Sequence, residues 1–172
     1  EQKRKLPQKE LTIAGLPYID HFLRKLSPTP KINEGVTILV GSSWGEKGCL
    51  KVYGMSFVLD LANSGFSVIV RPHPQSMAVE PEQVADWQRK LAEYPNVSWD
   101  FDSSPVEAMS CADILIADLS SLRLDFALLY QKPVITLHID AENYASFEAA
   151  ELDYIWDIDI SPRIGPVIDE TN

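Results

Sequence analysis

Residues 113–127, DILIADLSSLRLDFA, decide the fold of this 172-residue chain. The apolar run Ile114-Leu115-Ile116-Ala117 reads as a buried strand that stops at Asp118. After Ser120-Ser121 a helical spacing of Leu122, Phe126 and Leu129 begins at once. A strand that turns through two hydroxyls into a helix leaves backbone N–H groups unpaired and the positive end of a helix dipole facing outward. Such a turn is an anion site, and phosphate is the usual anion.

Outward from this segment the same grammar repeats. Four further apolar runs read as strands: Val36 to Val40, Phe66 to Val70, Val97 to Phe101 and Pro133 to His138. Helical patterns separate them. The first runs from about Leu50 to Asn63, with Tyr53, Phe57 and Leu61 in register and Gly65 as its stop. The second runs from Pro81 to about Tyr94, with Val84, Trp87 and Leu91 facing inward. A third opens at Ser104-Pro105-Val106-Glu107, a capping box with Pro at the first position. Near-continuous apolar strands alternating with helices predict an α/β fold, a three-layer Rossmann-like parallel sheet with helices on both faces.

Three parts are expected along the chain. Residues 1–31 form a helical linker, with a charged start, an amphipathic face of Tyr18, Phe22 and Leu26, and a boundary at Ser27-Pro28-Thr29-Pro30. Residues 32–140 form the sheet domain. Residues 141–172 form an acidic extension that passes a loop at Ser161–Pro166 and ends without a closing element. His21 reads as solvated, and Trp44 and Trp156 read as packing residues.

Composition narrows the function classes. An apolar fraction of 45% with four Trp is globular, and no apolar run reaches the roughly 20 residues that span a bilayer. Glu1-Gln2-Lys3-Arg4-Lys5 is followed by polar residues, so no secretory leader is expected, and the missing initiator Met suggests a piece of a longer protein. Cys49 and Cys111 show no metal spacing and read as cytosolic thiols. A net charge of −10 argues against nucleic acid as a partner. Residues 32–172 carry eight basic against twenty-two acidic side chains, so local geometry must hold any phosphate against the overall field.

In an open doubly wound sheet, ligands bind beyond the carboxyl ends of the strands where the strand order reverses. With the common order 3-2-1-4-5, the reversal brings three loops together: Gly41-Ser42-Ser43-Trp44-Gly45, Arg71-Pro72-His73-Pro74-Gln75-Ser76 and Asp118-Leu119-Ser120-Ser121. Singly, each has a plain reading as a turn, a stiff loop or an N-cap. Together they point to a phosphate or diphosphate site. Ser42 and Ser43 would belong to its cradle, and Ser120 and Ser121 offer hydroxyls and N–H groups. Arg71 has the fork for a bidentate phosphate pair, and His73 is a fixed donor or acid at the leaving oxygen. Asp118 reads as capping or bracing the loop. Asp125 reads as bracing it or meeting a polar group of the ligand. His138 ends the fifth strand near the edge of the site.

The turn "RPHP" followed some forty residues later by "ADILIADLSSLRLDFALLYQKPVI" resembles the carboxyl-terminal half of the CDP-glycerol glycerophosphotransferases, enzymes of teichoic-acid-type polymer synthesis. The likeness covers roughly residues 12–168 and includes Ala14-Gly15-Leu16-Pro17-Tyr18-Ile19-Asp20 and Gly165-Pro166-Val167, the latter resembling the loop after the last strand. It implies a GT-B architecture of two Rossmann-like lobes, of which this chain is the lobe that binds CDP-glycerol. It also implies that His73, Ser120 and Ser121 contact the diphosphate, with Arg71 heading the same turn. No metal or other cofactor is implied, because the helix end and basic groups stabilise the departing nucleotide. The partners implied are the donor and a missing amino-terminal lobe carrying the catalytic base. The fragment alone would be inactive, and the intact enzyme would be cytoplasmic, peripheral at the inner face of the membrane without direct insertion by this part. Leu119 stands where the family has an aromatic, and Gly-Ser-Ser-Trp where an Ala-Pro-Thr-Trp-like loop is expected.

Two other readings compete. A GT-B enzyme such as a UDP-N-acetylglucosamine 2-epimerase-like protein or a capsule glycosyltransferase shares the His-Pro turn, but usually has Gly-Gly beside the Ser-bearing helix. No Gly occurs here between Gly65 and Gly165. A non-catalytic flavodoxin-like module would need a phosphate loop after the first strand or an acidic cluster, and Glu34, Asp60 and Asp102 assemble none.

Overall fold

The structure, a computed structural model, describes residues 7, 9–24, 35–139 and 156–169. Leu26, the Ser27–Pro30 boundary, the charged residues 1–6 and the acidic stretch 140–155 lie outside the described residues.

Six parallel strands form one sheet in the order β3-β2-β1-β4-β5-β6. They are β1 (Thr37–Gly41), β2 (Ser67–Arg71), β3 (Val97–Trp99), β4 (Ile114–Ala117), β5 (Val134–Leu137) and β6 (Val167–Ile168). The sheet thus reverses between β1 and β4, as the five apolar runs predict. Register sets the level at which the loops emerge. Gly41 lies beside Arg71 on one side and Ala117 on the other, so the loops after β1, β2 and β4 leave the sheet together.

The interior strands are apolar on both faces because helices cover both. One face packs Val40, Val68 and Val70 against Leu50, Val58, Trp87 and Leu91 of α2 (Cys49–Val52), α3 (Ser56–Asn63) and α5 (Pro81–Leu91). The other packs Leu39 and Leu115 against Met109 of α6 (Val106–Cys111) and Phe126. Each such side chain removed from water contributes about 1.5–3 kcal/mol. The sheet therefore carries the stability, whereas α1 (Pro17–Leu23) buries no residue. Both cysteines are free thiols.

Several expectations need correction. The helix read as continuous from Leu50 to Asn63 is two helices, because Gly54 adopts φ +69° between them and turns the chain. The second predicted helix stops at Leu91, short of Tyr94. An additional helix, α4 (Pro74–Val79), follows the His-Pro turn, with Pro74 in its first turn and the His73 ring as its cap. The helix after Ser120-Ser121 is α7 (Leu122–Asp125), which widens into a π-type turn over Phe126–Tyr130 and ends at Gln131, φ +52°.

The carboxyl-terminal residues do supply a closing element. After α8 (Trp156–Asp159) and α9 (Ser161–Ile164), Gly165-Pro166 leads into β6, which pairs with β5 through Thr136 N–H to Pro166 O at 2.9 Å and His138 N–H to Ile168 O at 2.7 Å. A Cβ at Gly165 would sit 1.8 Å from the Val134 carbonyl oxygen, so this close approach requires glycine. Two residues without a long apolar run leave no strand pattern to read. Trp44 and Trp156 are more than half exposed, at 53% and 51%, and neither fills the core. His21 is exposed.

Candidate functional site

At the reversal point the structure opens a cleft of about 160 Å³, lined by Ser42, Arg71, His73, Ser120, Ser121 and Asp125 among others. Pockets that enclose a whole ligand run to several hundred Å³. This cleft has room for one charged group of a larger ligand, with the remainder lying over the open sheet edge.

Next to it, joined through Ser42, is a knot around Asp118, which is 1% exposed and does not line the cleft. The carboxylate accepts the Ser43 N–H at 2.8 Å, the Ser43 hydroxyl at 2.6 Å and the Cys49 N–H at 2.7 Å. Ser42 is drawn in as well: its hydroxyl donates to the Ser43 carbonyl at 2.8 Å and accepts the Leu50 N–H at 3.3 Å. A Cβ on Gly48 would come within 2.1 Å of the Ser43 carbonyl oxygen, so glycine is what lets the chain close here. Of the two serines expected to cradle phosphate, Ser42 reaches the cleft wall, while Ser43 lies outside the lining with its hydroxyl committed to Asp118. Asp118 braces the loop after β1 against the end of β4. Burial, and then the neighbouring Asp118 charge, push the Cys49 thiol well above its ordinary value, so it is a neutral packing group.

Arg71 is equally committed. It is 7% exposed; its guanidinium pairs with the Asp100 carboxylate and donates to the Asp102 carbonyl at 2.8 Å. The expected phosphate fork is thus a buried ion pair that ties β2 to the loop after β3, and Asp100 offsets its charge. Residue pattern alone does not reveal Asp100 as a partner. The available signal is an acid one residue past the end of the strand that adjoins the Arg-bearing one.

The other donors belong to residues that line the cleft. Among the described residues, the Ser120 and Ser121 N–H groups have no backbone acceptor, while the Leu122 N–H turns back to the Ser120 hydroxyl at 3.4 Å. The His73 Nδ1 accepts the Gln75 N–H at 3.0 Å, which leaves Nε2 to carry the ring proton. Burial, aided by the Arg71 charge and opposed by Asp118, lowers the His73 pKa from its usual range, so the neutral ring is an Nε2–H donor. Asp125 is half-buried with its pKa raised by burial, and Tyr18 of α1 donates to it at 3.4 Å. His138 is exposed and lies outside the cleft lining. Sequence reasoning passes over Arg123, which is 1% exposed and reaches the Ser120 carbonyl from below. Among the described residues, no three His, Cys, Asp or Glu side chains are arranged to hold a metal, and no helix is long and apolar enough to cross a membrane.

A model of the family CDP-glycerol:poly(glycerophosphate) glycerophosphotransferase matches residues 55–157, which is more than half of the chain. No curated protein matches. Among solved structures, MurG of Acinetobacter baumannii is similar at TM-score 0.50 and 14% identity, over 88% of this chain and 40% of that one. The ADP-heptose lipopolysaccharide heptosyltransferase II of E. coli follows at 0.49 and 13%, over 96% and 47%. Anabaena HepE, solved with UDP and glucose, follows at 0.47 and 11%, over 91% and 39%. The likeness to MurG is one of fold, and the chain spans about two fifths of that protein's length.

Proposed function

The chain belongs to the CDP-glycerol:poly(glycerophosphate) glycerophosphotransferase family, and on that premise we propose that it is the donor-binding lobe of a transferase moving glycerol phosphate from CDP-glycerol to a polymer acceptor. The observation that carries this reading is the cleft where the sheet order reverses, with Ser120, Ser121 and His73 converging on a space the size of one charged group. The lobe occupies residues 32–140 together with the carboxyl-terminal strand. Residues 1–31 lead in from a second lobe that holds the catalytic base.

In this scheme the diphosphate lies against the Ser120–Ser121 turn. Attack by an acceptor hydroxyl on the phosphorus that bears glycerol breaks the bond to the bridging oxygen and expels CMP. Charge on the phosphoryl oxygens is met by donors already in place, namely the two amides, the two hydroxyls and the His73 Nε2–H. Because Asp100 offsets Arg71, these neutral donors do most of the holding, and the site needs no free cation to work in an acidic chain. Asp125, at the rim, accepts from a hydroxyl of the transferred group, since a carboxylate beside phosphate itself would repel it.

Calorimetric titration with CDP-glycerol, CDP and UDP-sugars tests the reading. Saturable binding of the cytidine ligands by the folded chain supports it, and failure of every nucleotide to bind would sink it.

A pH series adds a second check. The free His73 titrates below its usual range, and a bound diphosphate raises that value by stabilising the charged ring, whose Nδ1 proton displaces the Gln75 N–H contact. Affinity for CDP-glycerol should therefore tighten as pH falls through the bound-state His73 value, by up to about tenfold per unit of pKa raised, and level off below the free-state value. The donor is a diester, so its own phosphates do not titrate in this window. His73→Gln should flatten the profile, and an unchanged profile in that variant would remove His73 from the contact.

A further inference from the structure

Arg123 is the largest fully buried side chain among the described residues, and it does not line the cleft. Its Nε donates to the Ser120 carbonyl at 3.2 Å. Nη1 donates to the Thr136 hydroxyl at 3.2 Å and the Ser161 hydroxyl at 2.6 Å, and Nη2 to the Asp157 carbonyl at 3.3 Å. Ser161 in turn donates to that Asp157 carbonyl at 2.9 Å. One planar group thus joins the turn before α7 to β5 and to the α8–α9 segment.

Burying a guanidinium is costly, and an apolar side chain would fill the same volume at lower cost, so packing alone does not account for arginine here. The geometry supplies an account. The peptide between Ser120 and Ser121 is a planar trans unit, in which the N–H points opposite to the C=O. Drawing the Ser120 carbonyl inward, with Arg123 donating from both its backbone N–H and its Nε, turns the Ser121 N–H outward to the cleft.

We infer that Arg123 is the positioning residue of the anion-binding turn, and that through Ser161 and Asp157 it makes the aim of the Ser121 N–H depend on the α8–α9 segment. This rests on the reading of the cleft as the donor site. It assigns a binding role to two residues, Arg123 and Ser161, that touch no ligand.

The test uses the whole 172-residue chain, with CDP as the probe in calorimetry, thermal unfolding as the fold control and the Ser121 amide resonance as the reporter. Arg123→Lys keeps the charge but cannot reach Ser120 and Ser161 together, and should weaken CDP binding about tenfold or more. Ser161→Ala removes the far acceptor of Arg123 together with the Ser161 bond to the Asp157 carbonyl, and should weaken it about threefold, with the unfolding midpoint within about 3 °C of wild type. Both should shift the Ser121 amide without ligand. If Arg123→Lys fails to fold, Ser161→Ala decides alone. Wild-type binding of CDP with unaltered affinity in the folded variants overturns the inference. Absence of wild-type binding overturns the donor-site reading instead, and an unmoved Ser121 amide in Ser161→Ala then overturns the positioning role.

Discussion

Replacing Asp118 by alanine is expected to destabilise the fold by about 3–5 kcal/mol, because it strands two buried backbone donors at about 1–3 kcal/mol each and leaves a cavity. The stranded groups are the N–H groups of Ser43 and Cys49, which one carboxylate oxygen, Oδ2, accepts at 2.8 and 2.7 Å. A domain of this size has about 5–15 kcal/mol in total, so the unfolding midpoint should fall by about 10 °C or more. The asparagine variant separates geometry from charge. Its carbonyl can take the place of Oδ2, and its amide can donate to the Ser43 hydroxyl, which rotates to accept. Asp118→Asn should therefore lie within about 1–2 kcal/mol of wild type. Denaturant titration of the three proteins measures this. If the alanine variant unfolds within about 1 kcal/mol of wild type, Asp118 does not hold the loop after β1, and its place beside the cleft needs another explanation.

Legibility in the sequence divides by range. The strands are local patterns of apolar residues, and their order follows once helices alternate with them, so the meeting of the three loops can be derived. Commitments of individual side chains depend on partners far away in sequence. Arg71 and Asp100 are 29 residues apart, Ser43 and Asp118 are 75 apart, and nothing in either neighbourhood announces the other. Residue pattern therefore directs Ser43 and Arg71 toward a ligand, whereas the fold ties each to a carboxylate and leaves only Arg71 on the cleft lining. Arg123 escapes notice for a related reason. A lone arginine on a helix reads as solvated, and only the approach of β5 and α9 buries it. The closing strand β6 is two residues long, too short for any periodicity.

The pair Ser120→Ala/Ser121→Ala is expected to raise the dissociation constant for CDP-glycerol by about two orders of magnitude or more, since each hydroxyl bond to a charged phosphate is worth about 1.5–3 kcal/mol. The same substitution should cost the fold only about 1 kcal/mol, the usual worth of a helix cap. That contrast is what makes the experiment informative. As a cap, Ser120 has one visible task, accepting the Leu122 N–H at 3.4 Å, a long and weak bond. If capping were the whole role of these residues, stability would drop slightly and affinity would not change. If they hold the diphosphate, affinity collapses while the backbone, still fixed through the Ser120 carbonyl by Arg123, keeps its shape. Residual binding should then survive through the two amides and His73, at the level of a generic anion, and sulfate at millimolar concentration should compete for it. Calorimetry on the double variant, with unfolding monitored on the same preparation, reads both quantities at once. Unchanged affinity in a stably folded double variant would place the donor elsewhere on the sheet edge.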